Sequence, residues 1–168
     1  MKKIVRGMLI LVAFAMMITP CFAGGMGPMR GSLDRSRIAL GGITIGSTKA
    51  AVRHIYGEPT SVEKNGWLYR YGSSFRIKFI PGSELGMADD GAHTIVTTAN
   101  NGIATPDGVT VGMAPKVLDD VYGPADRVND NRDGSTDYEY WDKDDHATVL
   151  YFRVNDGVIR SITCYYYV

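Results

Sequence analysis

A set of features laid down once in this chain is laid down again 66 residues later, and that duplication limits the fold more than any other property. Ile43, Thr44, Ile45, Gly46 recurs as Val109, Thr110, Val111, Gly112, and Tyr56, Gly57 recurs as Tyr122, Gly123. A proline follows each glycine, at Pro59 and Pro124, and Val62 matches Val128. Further on, Tyr69 and Tyr71 match Tyr138 and Tyr140, while Ile77, Lys78, Phe79 matches Leu150, Tyr151, Phe152. The order is kept and the spacing drifts only in turns, as expected for two copies of one structural unit, because loops accept insertions and packed elements do not.

Each copy opens with a helical pattern. Ala51, Val52, Ile55 and Tyr56 share one stripe, as do Val117, Leu118, Val121 and Tyr122. Ser47 or Thr48 is placed to cap the first helix, and Pro115 sits where a first-turn proline loses no hydrogen bond. Gly57 and Gly123 then act as stops, with proline preventing resumption. After each helix the apolar period becomes two. Trp67, Tyr69 and Tyr71 alternate with Leu68 and Arg70, and Phe75, Ile77 and Phe79 alternate with Arg76 and Lys78. In the second copy Tyr138 and Tyr140 alternate with Glu139 and Trp141, and Leu150, Phe152 and Val154 with Tyr151 and Arg153. Asn65-Gly66 and Asn155-Asp156-Gly157 mark turns, and closing strands are predicted near residues 93–98 and 158–166.

The expected fold class is therefore α+β: two tandem helix-plus-three-stranded-meander repeats, forming one antiparallel sheet of about six strands with both helices on one face. The domain plan is a cleaved signal peptide over 1–23, a mobile N-terminal segment over 24–37, repeat 1 over 38–100 and repeat 2 over 101–168. The opposite face, left wet, would display Arg70, Arg76, Lys78, Glu139, Trp141, Tyr151 and Arg153. Arginine and aromatic side chains often supply binding hot spots, which makes Arg70, Arg76, Lys78, Trp141, Tyr151 and Arg153 the candidate partner-binding face.

These residues carry a family resemblance. Gly42, Ile43, Ile45 and Gly46, a short helix, then Tyr56, Gly57, Pro59 and a meander resemble the SmpA/OmlA type of outer-membrane assembly protein. The tandem arrangement over about residues 38–166 is similar to that of the beta-lactamase inhibitor protein. The resemblance implies a non-enzymatic, exported domain that binds another protein. It also implies two alternatives: a structural component of the envelope, and a secreted inhibitor of a hydrolase. Gly123-Pro124-Ala125 departs from the Tyr-Gly-x-Pro spacing, and nothing beyond scaffold positions matches the inhibitor.

Residues 1–23 have the layout of an export signal: Lys2, Lys3 and Arg6, an uncharged apolar run over 8–19, then Cys21-Phe22-Ala23 before Gly24. The run has 12 residues where a membrane span needs about 20, so the mature chain is expected to hold no transmembrane helix. The alternative takes Cys21 as a lipidated anchor, although Pro20 precedes it where a small residue belongs. Cleavage leaves 15 Lys+Arg against 18 Asp+Glu, a balance that gives nucleic acid no general attraction. It also leaves Cys164 alone, so no internal disulfide supports the fold and Cys164 reads as a buried strand residue.

Catalytic patterns are missing from the sequence. Gly41 to Thr48 imitates a phosphate loop, but Ser47 stands where the lysine belongs. His54, His93 and His146 are scattered, and there is no His-Glu-x-x-His pair or Gly-x-Ser-x-Gly elbow. The chain is read as no enzyme, and no cofactor is expected. Residues 126–145 carry eight acids against three bases. Within them Asn129, Asn131, Asp133, Gly134 and Asp137 occupy positions 1, 3, 5, 6 and 9 of a calcium loop, with Tyr140 where the bidentate glutamate belongs. Asn129, Asn131, Asp133 and Asp137 are thus a weak calcium candidate in what also reads as a lengthened hairpin loop. Residues 49–78 lean the other way, with six Lys+Arg and two Glu.

Overall fold

A computed structural model describes residues 31–167; the expected signal peptide over 1–23, Cys21 and the residues up to 30 lie outside the described residues. The fold is α+β, with a large antiparallel sheet and few helices. A small hairpin comes first, β1 (Ala39–Leu40) with β2 (Ile43–Thr44), followed by helix α1 (Lys49–Tyr56). Strands β3 (Ser61–Glu63), β4 (Leu68–Tyr71) and β5 (Phe75–Ile80) come next, then the single-turn helix α2 (Gly82–Leu85) and β6 (Gly91–Thr97). Helix α3 (Lys116–Tyr122) precedes β7 (Arg127–Asp130), β8 (Thr136–Trp141), β9 (Thr148–Asn155) and β10 (Val158–Tyr166). The eight-stranded sheet runs β3-β4-β5-β6-β10-β9-β8-β7, so two meanders meet at β6 and β10.

The expected three strands per half are corrected to four. The additional strands, β3 and β7, lie at the two edges of the sheet. Three or four residues such as Ser61–Glu63 are too few for an alternation to show, and only the turn after them, at Asn65-Gly66, hinted that a strand came before.

Helix ends follow local chemistry. Thr48 caps α1, its Oγ1 accepting from the Ala51 N–H at 3.2 Å. Pro115 stands directly before α3 with helical angles, φ −62° and ψ −22°. Both helices close on a glycine: the Gly57 N–H donates to the Arg53 carbonyl at 2.8 Å, and the Gly123 N–H to that of Asp119 at 3.0 Å. The two glycines adopt φ 74°, ψ −160° and φ 77°, ψ −164°, a region almost closed to residues with a Cβ.

Val52 of α1 and Leu118 and Tyr122 of α3 belong to one apolar cluster with Phe75, Ile77, Ile95, Leu150, Phe152 and Ile162 of the sheet. The stripe expected on α1 is narrower than its sequence suggests. Val52 is buried and Tyr56 half-buried, but Ile55 is 52% exposed. Tyr56 packs on Tyr71 and Phe75 at ring distances of 5.3 and 5.1 Å, and Tyr122 on Tyr140 and Phe152 at 5.1 and 5.7 Å. Tyr71 donates to the Gly57 carbonyl at 3.1 Å, and Tyr140 to that of Gly123 at 3.2 Å. These rings tie each helix end to its own strands, supplying roughly 0.5–1.5 kcal/mol per aromatic pair beyond area burial.

Residues 31–37, expected within a mobile segment, are docked. Leu33 is 1% exposed, its N–H donates to the Trp141 carbonyl at 3.0 Å, and its carbonyl accepts from the Lys143 N–H at 2.9 Å. Ion pairs of Arg35 with Asp145, Arg37 with Asp107 and Lys143 with Asp34 surround it. A buried leucine is the physical reason: about 2–5 kcal/mol rests on such a side chain, enough to order its neighbours.

Candidate partner-binding face

Register decides which side chains share a face, because successive residues of a strand point to opposite sides. Arg70 pairs with Arg76 and Leu68 with Lys78 across β4 and β5, while Arg76 pairs with Val96 and Lys78 with Thr94 across β5 and β6. Thr163 joins Val96 to Tyr151 through β10, and Tyr151 pairs with Glu139, Arg153 with Asp137 and Val149 with Trp141. Arg70, Arg76, Lys78, Trp141, Tyr151 and Arg153 therefore all lie on one face. The apolar cluster, with Tyr69, Ile77, Ile95, Leu150 and Phe152, occupies the other.

Being on that face does not make the six equally available. Arg76 and Lys78 are exposed, and among the described residues neither forms an ion pair. With Leu68, Val96, Thr94 and Arg70 they line a hollow of about 300 Å³. Arg70 is held by Glu63, Nε to Oε1 at 2.6 Å. Burial, together with the Lys78 charge, holds the His93 imidazole below its usual range.

Arg153 is anchored rather than free. Its Nε and Nη2 donate to the two carboxyl oxygens of Asp137 at 2.9 and 3.1 Å, a bidentate pair. Burial of Asp137 works against its ionisation, but hydrogen bonds from Arg153, Tyr151 and Asn131 and the Arg153 charge outweigh that and hold its pKa down to about 2. Burial and the neighbouring Asp137 push the Tyr151 phenol up. The expectation that Trp141 is displayed is corrected: it is only 4% exposed. Its indole N–H donates to Glu139 Oε2 at 3.2 Å, and its ring packs on Tyr167 at 6.1 Å. The cause is the end of the chain, where the Tyr167 N–H donates to the Ala147 carbonyl at 2.8 Å and holds the last tyrosine beside the indole.

The lengthened loop expected over residues 126–145 is corrected: most of the stretch is β7 and β8, paired antiparallel, and only residues 131–135 form the turn between them, where donors and acceptors serve the chain itself. The Asn131 N–H donates to the Ser135 carbonyl at 2.8 Å, and Asp133 Oδ1 accepts from the Ser135 N–H and hydroxyl at 3.0 and 2.6 Å. Asn131 Nδ2 donates to Asp137 Oδ2 at 2.8 Å, and Asn129 Oδ1 accepts from Arg127 at 3.2 Å. Among the described residues no group of three or more His, Cys, Asp or Glu is placed to hold a metal ion. A calcium ion would have to displace Arg153 from Asp137, and the site carries no second bidentate acid to offset that.

Two features escaped the sequence reading. Asp142 is fully buried below the turn after β8, its Oδ1 accepting from the Asp144 N–H at 2.8 Å, with the Arg35 Nη1 lying 3.7 Å from Oδ2. The other is a second hollow at the far end of the same face, about 270 Å³, walled by Trp141, Tyr165 and Tyr167 with Glu139, Arg127 and His146 beside them. The alternation Thr163, Tyr165, Tyr167 is the one signal in the sequence that could have pointed to it.

Compared with protein-family models, curated proteins and solved structures, the chain matches none.

Proposed function

We propose that this is an exported, non-enzymatic domain of the cell envelope or extracellular space that binds another protein through the sheet face bearing Arg70, Arg76, Lys78, Tyr151 and Arg153. The observation that carries the reading is the hollow around Leu68 and Val96, rimmed by Arg76 and Lys78. Both are solvent-facing cations without a carboxylate partner among the described residues, beside buried apolar side chains. A partner surface presenting Asp or Glu beside apolar groups fits that chemistry, since charge complementarity supplies orientation and buried apolar contact supplies affinity.

In this reading the scaffold is two copies of one helix-plus-meander unit, with both helices on the face opposite the partner. The matched hydrogen bonds support it: Tyr71 to Gly57 against Tyr140 to Gly123, and the Gly46 N–H to the Ala92 carbonyl against the Gly112 N–H to that of Ile159, both at 2.8 Å. The likeness to SmpA/OmlA proteins and to the beta-lactamase inhibitor protein supports the same architecture and favours a binding role over catalysis. It also leaves a structural envelope component, anchored through Cys21, as the second reading. Among the described residues no helix is long and apolar enough to cross a membrane.

Two measurements test this. Mass spectrometry of the mature protein should find Gly24 at its N-terminus; an acylated Cys21 would favour the anchored component. Affinity capture from the native envelope should lose its specific partner when Arg76 and Tyr151 are both changed to Ala and keep it when Lys116 of α3 is. Equal recovery with the first variant refutes the face.

A further inference from the structure

The second hollow differs from the first: three aromatic rings wall it, with Glu139, its cross-strand neighbour Arg127 and His146 as its polar lining. Tyr165 is half-buried, Tyr167 is 65% exposed and forms a rim, and Trp141 makes the inner wall. Glu139 is 8% exposed, and its Oε2 accepts the indole N–H of Trp141, which fixes the carboxylate beside the rings. Among the described residues Glu139 has no cation within ion-pair distance. Arg127, at the rim, directs its Nε to Asn129 Oδ1 at 3.2 Å and stacks on none of the three rings. Burial, together with the Glu139 charge and against that of Arg127, pushes the Tyr165 phenol up to about 12; like any phenol it is neutral at pH 7 and offers its ring face.

A nearly buried carboxyl beside electron-rich ring faces is suited to a cation that can shed part of its water. We infer that the Trp141–Tyr165–Tyr167 hollow, with Glu139 at its wall, is a receptor for a lysine or arginine side chain of the partner protein. The inference rests on the partner-binding reading of this face and adds its second contact: acids of the partner on the Arg76 end, a base on the Glu139 end. A protein side chain is favoured over a small free ammonium ligand because only one wall is deeply buried. The Tyr167 rim stands open, and a long stem entering from a flat surface can lay its methylenes on the tyrosines.

The test reads the hollow without the partner. In the 15N-labelled chain the Trp141 indole N–H signal, assigned by comparison with Trp67→Phe, is followed at pH 8. The probes are Nα-acetyl-lysine methylamide, its arginine counterpart, uncharged Nα-acetyl-norleucine methylamide and tetramethylammonium. The expected result is a saturable Trp141 shift with the lysine or arginine probe. Glu139→Gln, which keeps the indole acceptor, and Tyr167→Ala, which keeps the backbone bond to Ala147 and is checked for folding by the dispersion of the remaining amide signals, should each weaken it about five- to tenfold. An equal response to norleucine, no saturable shift, or unchanged affinity in both variants overturns the inference. Tighter binding of tetramethylammonium than of either side-chain probe overturns it in favour of a small ammonium ligand. None of these outcomes depends on the Arg76 and Tyr151 capture experiment, so either reading can fail alone.

Discussion

Changing Asp137 to Asn removes the charge that anchors Arg153 while keeping the size of the side chain. In the folded chain the carboxyl sits at about 2 against an ordinary 3.8. A group depressed on folding contributes stability that is fully present above its unfolded value and fades as pH falls through the folded one. The difference sets a ceiling of roughly 2–3 kcal/mol at pH 7. Arg153 is 45% exposed, so water screens part of the pair, and about 1–2 kcal/mol is the expected loss. By pH 3 about half of that advantage should be gone, and near pH 2 most of it. Urea unfolding of the two proteins at pH 7 and pH 3 measures this directly. Arg153→Met should cost a comparable amount, and the double variant less than the sum, because both changes break one pair. A variant as stable as the parent at pH 7, or a gap that does not narrow on acidification, refutes the reasoning.

Two further outcomes are expected. Gly57→Ala and Gly123→Ala meet no neighbour within 4 Å of the new Cβ, so their cost is conformational alone; each should lose about 1–3 kcal/mol in thermal or urea unfolding. If either is neutral, that helix stop is not held as described. Leu33→Ala should destabilise by about 2–5 kcal/mol, and a loss below about 0.5 kcal/mol would show that the lead-in does not contribute to the fold.

What could be read in the sequence was whatever repeats or alternates over a long enough stretch. The stripe of Val117, Leu118, Val121 and Tyr122, the β4 and β5 alternation, and the placement of six face residues on one side all follow from side-chain period alone. Edge strands three or four residues long offered no such period, so β3 and β7 were missed. Ile55 fits the α1 stripe by spacing, but an eight-residue helix buries little beyond its central line, here Val52 and Tyr56. Trp141 was placed on the correct face with the wrong exposure, because what covers it is Tyr167, 26 positions away and brought there by the β8–β9–β10 meander. Alternation tells which side a residue points to; it does not tell what lies over it. The Asp137–Arg153 pair was hidden in the same way, since a calcium-loop spacing counts acids along the chain and register across strands decides what those acids meet.

The seam between β6 and β10 has a consequence of its own. Each meander ends on a strand that finds its last neighbour only in the other meander, so a polypeptide cut near residue 100 would expose the whole unpaired flank of β6. A bare flank of that kind templates another strand. The first half expressed alone should therefore seek a twin and close the sheet between two chains, as the full-length protein closes it within one.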